Sequence, residues 1–295
     1  MHSTDEQPFD LGEQLLNDEK TKGVPIRHIS GVLEDLERKI SQGMNGIHPG
    51  YNLLARTVRK IAPGHMWVVG GYTSVGKSFF LTDLICRLYR AGNPGIALFS
   101  TEMSTGQYAL RMLANRTTYS TWAIEERRLI HSSHLAVLSE AWEHFNSRNL
   151  YLYDDLYDWK RIEKTAEAIK HRKGLDIVAV DFIQNLAGKG SVYERMSTLS
   201  PRIQAMAKRL EVCAIVLSQV SNEAARDDLS IIGYKGAGEI AAAADLGVWL
   251  QRDEEEKEAV KFIIRKNRHG MRGEGLLIYS ENYTRFEERE KEAAS

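Results

Sequence analysis

Hydrophobic positions change their period along the 295-residue chain. Residues 1–30 are polar, with a short helical signal over 11–17, and predict a loose arm. Val32, Leu33, Leu36 and Ile40 follow helical spacing, and the glycines and proline of QGMNGIHPGY then break that helix. From residue 45 onward, short apolar runs alternate with amphipathic stretches. The runs at 66–69, 96–100, 150–153, 176–181 and 213–219 read as strands. Helices are predicted over 78–90, 105–116, 160–173 and 202–211, and 117–148 also carries helical spacing. Strands at 245–250, 260–266 and 275–279 follow with no helix between them. The charged tail from Glu281 is expected to fray. Strands that are apolar without strict alternation, each followed by a helix, predict an α/β fold whose mostly parallel sheet is covered by helices on both faces. The last strands, close in sequence, predict an antiparallel edge.

Composition narrows this little. At 43% hydrophobic and 27% charged, the chain can bury one large core. A net charge of −1 excludes a uniformly basic coat for nucleic acid, but leaves room for a local basic strip, since phosphates respond to the field at the site. Cys86 and Cys213 each fall in an apolar element and predict buried, reduced thiols of a reducing compartment. The N-terminus is polar and acidic, unlike a signal peptide, and no apolar run approaches the ~20 residues of a membrane span. A cytoplasmic protein with no membrane association is expected.

One motif carries chemistry directly. Gly71, Tyr72, Thr73, Ser74, Val75, Gly76, Lys77 and Ser78 match G-x-x-x-x-G-K-[ST] in full, between an apolar strand and an amphipathic helix. The glycines allow a tight turn whose N–H groups face phosphates, and the helix presents its positive end to the same anion. Lys77 adds a point charge at the outer phosphates, and the Ser78 hydroxyl can ligate Mg²⁺. A nucleoside triphosphate, ATP, is the implied cofactor.

Hydrolysis needs further groups, and strand ends supply candidates. Asp181 closes the run DIVAVD, where a carboxylate would hold Mg²⁺ through water. Glu102 follows IALFS, placed to orient and deprotonate the attacking water. Gln219 ends CAIVLSQ, where its amide could touch the terminal phosphate. Lys266 and Arg268 form a dense cationic turn after an apolar strand, suited to transition-state charge.

Taken with GIHPGYNLL, FSTEM, LYLYDD, VAVDFIQNL, AIVLSQVS, GAGEIAAAAD, IIRKNRHGMRGE and TRFEE, these residues resemble the C-terminal motor domain of the DnaB family of replicative DNA helicases, over about 30–287. The resemblance implies a RecA-type P-loop NTPase that forms a hexameric ring with ATP bound between subunits. It implies a flexible arm at 1–30, a linker helix and the segment leading into the motor at 31–50, the motor at 51–287 and a charged tail at 288–295. Glu102 would be the catalytic glutamate, Asp181 the Walker B aspartate and Gln219 the phosphate sensor. Lys266 and Arg268 would reach a neighbour's site, Arg268 as an arginine finger. Single-stranded DNA would meet two channel loops, through Lys189 and Arg195 in the first and Arg226, Lys235, Gly236 and Gly238 in the second. The expected activity is ATP-driven 5′-to-3′ translocation and unwinding, with a helicase loader and primase as possible partners. A recombinase or a non-unwinding adaptor of the same fold is the alternative. Two departures stand out: Lys235-Gly236 replaces the family's Arg-Glu pair, and residues 1–30 are too short for its helical N-terminal domain.

Overall fold

In the computed structural model, residues 29–41, 46–126, 132–219, 238–280, 282 and 284–289 are described. The chain forms two compact units, 1–45 and 46–295. In the first, helix α1 (Ile29–Ser41) has the predicted amphipathic spacing, with Val32, Leu33 and Leu36 exposed.

The second unit opens with Ile47 bridged to Ile61 around helix α2 (Asn52–Val58). Strand β1 (Met66–Gly71) leads into α3 (Lys77–Ala91), then β2 (Ile96–Ser100) and α4 (Thr105–Thr117). The 117–148 stretch is not one helix. Thr118 in the left-handed region closes α4, and α5 (Thr121–Glu125) and α6 (Ser132–Asn146) follow. Next come β3 (Leu150–Tyr153), α7 (Trp159–Lys173), β4 (Ile177–Asp181), a short 3₁₀ turn, α8 (Val192–Leu210) and β5 (Cys213–Gln219). Helix α9 (Gly238–Ala243), β6 (Leu246–Arg252), β7 (Ala259–Asn267), β8 (Gly273–Tyr279) and β9 (Phe286–Arg289) complete the order.

Among the described residues the strands form one sheet, ordered β3-β2-β4-β5-β1-β6-β7-β8-β9. It is parallel from β3 to β6 and antiparallel from β6 to β9. Alternate side chains explain the unbroken apolar runs. Trp67 and Val69 join one core with Phe80, Leu84 and Leu88 of α3, while Met66 and Val68 join another with Ile162 of α7 and Ile203 of α8. Both faces are covered, so polar residues have no place along the central strands. Cys86 and Cys213 are free and buried, and burial pushes both thiols up.

Two expectations are corrected. Helix α8 begins at Val192, ten residues before the predicted start, and runs through Pro201. A capping box starts it: Ser191 Oγ accepts from Glu194 N at 3.3 Å, and Glu194 Oε2 accepts from Ser191 N at 2.7 Å. Residues 192–196, expected in the first DNA loop, are therefore its opening turns. The tail is not frayed throughout. β9 buries Phe286 against Phe79 and Tyr279, and Arg289 pairs with Glu256 at 2.7 Å.

Candidate functional site

Parallel pairing lines up one edge of the sheet. Gly71 stands opposite Gln219, and Ser100 opposite Asp181, at the carboxyl ends of β1, β5, β2 and β4. The loop after β1 turns there into α3. Gly76 has φ 98°, and a Cβ on it would lie 2.2 Å from the Tyr279 hydroxyl; a Cβ on Gly71 would lie 2.6 Å from the Leu250 carbonyl. Both positions thus require glycine. Lys77 is 8% exposed, and its ammonium donates to the Gly71 and Tyr72 carbonyls at 3.1 and 2.8 Å. Burial lowers its pKa, opposed by the charges of Asp181 and Glu102. Val75 is buried beneath the loop.

A cleft of about 360 Å³ brings Thr73, Ser74, Gly76, Lys77 and Ser78 together with Glu102 and Gln219. Glu102 is exposed at its wall. The turn that carries it is pinned by Thr101 N donating to the Asp181 carbonyl at 2.6 Å and by Met103 N donating to Ser100 Oγ at 3.0 Å. Asp181 is 1% exposed. Its Oδ2 accepts from the Tyr108 hydroxyl, while Oδ1 is buried without a hydrogen-bond partner among the described residues. Burial raises the Asp181 pKa; the Tyr108 and Ser78 hydroxyls and Lys77 oppose this. Burial, then the charge of Asp181, raises the Tyr108 pKa, so the phenol stays a donor. The Gln219 amide donates to Thr73 Oγ1, joining β5 to the phosphate loop.

Several residues here escaped the sequence reading. Gln184 donates to Ser218 Oγ at 2.7 Å and the Gln219 carbonyl at 2.9 Å, and accepts from Gln219 N at 3.2 Å. Arg111 lines the cleft, and Arg252 donates to the Ser74 carbonyl at 3.0 Å. A second cavity, of about 610 Å³, adjoins the first, shares Phe79, Arg111 and Tyr279 with it, and includes Arg252. Tyr108 and Arg111, three apart on one face of α4, reach the site through the packing of that helix. Arg252 ends the strand next to β1, at the same edge.

Lys266 and Arg268 lie elsewhere. β7 runs antiparallel, with Asn267 opposite Leu246, itself level with Trp67. Their turn is therefore at the opposite edge from the phosphate loop. Arg268 donates to the Ala242 carbonyl at 2.6 Å and pairs with Asp245 at 3.4 Å, and Lys266 donates to the same carbonyl at 3.1 Å. Burial, then Arg268, lowers the Lys266 pKa. Asp245 also accepts from Met66 N at 2.9 Å, and His269 stacks on His65 at 4.3 Å.

Of the expected DNA contacts, Lys189 is exposed. Arg195 donates to the Gln184 and Leu186 carbonyls of its loop at 3.1 and 2.8 Å. Gly238 opens α9. Arg226, Lys235 and Gly236 lie outside the described residues.

A glycine-rich loop between a parallel strand and a helix, with carboxylates and an amide on the neighbouring strand ends, defines a P-loop nucleotide-binding domain. Residues 46–288 match the DnaB-like helicase C-terminal domain, and the chain belongs to that family. It is 27% identical over 258 residues to the replicative DNA helicase DnaB of Geobacillus stearothermophilus, covering 82% of this chain and 56% of that protein. It is 29% identical over 255 residues to the DnaB helicase of Helicobacter pylori strain 26695, covering 81% and 51%. The chain thus spans about half the length of these curated relatives. A solved ATPase domain superposes with a TM-score of 0.80 at 22% identity, covering 90% of this chain and all of that one. A DnaB-like replicative helicase, described with its primase interactions, gives 0.76 at 22% identity, covering 89% of this chain and 67% of that one. At that identity the likeness concerns the fold, whose parallel sheet and antiparallel edge agree with the expected class.

Proposed function

We propose that this chain is the motor of a replicative helicase, which hydrolyses ATP to move along single-stranded DNA and separate duplexes in the 5′-to-3′ direction. The observation that carries this is the gathering of Lys77, Ser78, Glu102 and Gln219 around one cleft with Asp181 beneath it, while the cationic turn sits at the far edge. A magnesium ion fits the residues present: Asp181 offers a buried oxygen without a hydrogen-bond partner among the described residues, and the Ser78 hydroxyl stands beside that carboxylate at the cleft. Magnesium bound with ATP neutralises charge on the outer phosphates. Gly71 to Ser78 cradle those phosphates, and Lys77 exchanges its contacts with loop carbonyls for phosphate oxygens. Glu102 orients the attacking water and takes its proton.

Arg268 then belongs to the neighbouring subunit's site. Its distance from the phosphate loop within one chain supports a ring of six copies, in which each site is completed across an interface. Gln219 links phosphate to DNA. Its amide contacts the phosphate loop, and its backbone leads along the chain toward Arg226, Lys235, Gly236 and Gly238, which with Lys189 of the first loop would meet the strand. Backbone amides and scattered cations hold a strand without reading its bases. Such a protein works in the cytoplasm, where loader and primase would be its partners. The family assignment favours this reading over a recombinase or adaptor.

The experiment is ATP turnover with and without single-stranded DNA, together with strand displacement from a forked duplex. DNA should stimulate turnover, and the fork should open only with ATP. An intact ring whose turnover ignores DNA would sink the proposal.

A further inference from the structure

The Walker B carboxylate is held asymmetrically, and the side chain that does this comes from a helix with no assigned part in the chemistry. Tyr108 lies in the second turn of α4, is 0% exposed, and donates its hydroxyl to Asp181 Oδ2. The Asp181 main chain is fixed separately, its carbonyl accepting from Thr101 N at 2.6 Å and from Thr101 Oγ1 at 3.1 Å. Those bonds set the backbone but leave the carboxylate free to turn about its own axis. Among the described residues, the Tyr108 phenol donates to Oδ2, while Oδ1 is buried without a hydrogen-bond partner. The helix is in turn anchored: Ser104 and Gln107 form a capping box, and Asp154 accepts from Thr105 N at 2.7 Å. The phenol is therefore presented from a rigid mount.

We propose that Tyr108 is a positioning residue for the magnesium ion of the nucleotide site, clamping one oxygen of Asp181 so that the other faces the metal's water shell. The proposal rests on the nucleotide-site reading given above. A buried carboxylate oxygen without a donor is costly, and one kept in that condition beside Ser78 is placed for a partner that arrives with the nucleotide. Groups that orient a metal-holding side chain set its affinity for the ion without touching the ion.

Tyr108→Phe removes one oxygen and keeps the packed ring. Binding of a fluorescent ADP analogue to the full chain is followed in EDTA and across a magnesium series. Affinity in EDTA should equal that of the unsubstituted chain, while the magnesium concentration giving half the metal-dependent gain should rise roughly 10-fold. In an Asp181→Asn background, Tyr108→Phe should add nothing, because its effect passes through that carboxylate. An unchanged magnesium midpoint overturns the proposal. So does an equal loss in EDTA and magnesium, which would make Tyr108 a packing residue of the cleft wall, and so does an additive double variant. If the unsubstituted chain binds no nucleotide under either condition, the site reading falls and takes this proposal with it. A chain that binds nucleotide with metal-independent effects of Tyr108→Phe loses this proposal alone.

Discussion

Asp83 makes a demanding test of what holds the phosphate-loop helix in place. It is 0% exposed in the second turn of α3. Oδ2 accepts from the Tyr51 hydroxyl, from Arg87 Nε at 2.9 Å and from Phe286 N at 3.4 Å, and Oδ1 accepts from Asn115 Nδ2 at 2.8 Å. One carboxylate thus joins the segment before α2 to α3, α4 and β9. Asp83→Asn keeps the size but turns one acceptor into a donor. Whichever way the amide faces, its NH₂ meets groups that already donate. Removing one partner of a buried ion pair costs about 3–5 kcal/mol, mainly by stranding the other charge. Arg87 would keep its contacts to the Gly50 and Phe286 carbonyls and its place over the Tyr51 ring. Those contacts limit the damage, and we expect a loss of about 3 kcal/mol, near the lower end of that range. Against a domain stability of ~5–15 kcal/mol this is a large fraction. It should lower the melting temperature by roughly 6–12 °C, at about 2–4 °C per kcal/mol. Urea denaturation followed by circular dichroism at fixed protein concentration measures it. Adding Arg87→Met should recover part of the loss, since the stranded charge goes with it. A loss below about 1 kcal/mol, or an additive double variant, would refute the idea that this buried carboxylate organises the four segments.

Lys77→Ala should abolish hydrolysis and weaken nucleotide binding, measured by phosphate release and by titration with a fluorescent analogue. Arg268→Ala should bind nucleotide normally but turn over at least ~10³-fold more slowly. Mixing inactive Arg268→Ala with inactive Lys77→Ala subunits should restore some activity if the finger acts across an interface, and no recovery at any ratio counts against it. His65 predicts a pH effect on stability. Burial, then the charge of His269, lowers its pKa in the fold, with Asp245 opposing. The unfolded chain therefore binds the proton more readily, so stability should be full above about pH 6.5 and fall as pH drops toward the lower folded value. His65→Gln should flatten that acid slope in denaturation curves; an unaltered slope would show that another group sets it.

The parallel half of the sheet was legible because its strands are buried on both sides, so they read as unbroken apolar runs. That the phosphate loop, Glu102, Asp181 and Gln219 lie at one end of the sheet was legible because strand ends show in one dimension. Helix contributions were harder. Tyr108 and Arg111 look like ordinary members of an amphipathic pattern, and only the packing of α4 tells which face meets Asp181. Helix α8 was expected only from residue 202, because the Ser191/Glu194 box that starts it passed unnoticed. β9 was hidden by its charges: Phe286 turns inward, whereas Glu287 and Arg289 face solvent. Arg252 could be placed only once the pairing of β6 with β1 was known, because register decides at which edge a strand delivers its last residue.

Register also bears on the proposed ring. Arg268 N donates to the Asp245 carbonyl, and Asp245 N to that of Met66, so the finger turn is level with the start of β1. The phosphate loop begins at Gly71, five residues further along that strand. At about 3.3 Å per residue the separation is roughly 16 Å, more than an arginine side chain spans. Loop rearrangement cannot close that gap, because the strands between are paired and buried. A role for Arg268 at a phosphate therefore requires a second copy of the chain. Within its own copy, Arg268 meets Asp245 and the Ala242 carbonyl, contacts that hold the guanidinium on a fixed platform. The finger can be ordered before assembly without completing its own site. On the proposed reading, hydrolysis is then coupled to the ring through the antiparallel turn-back of β7.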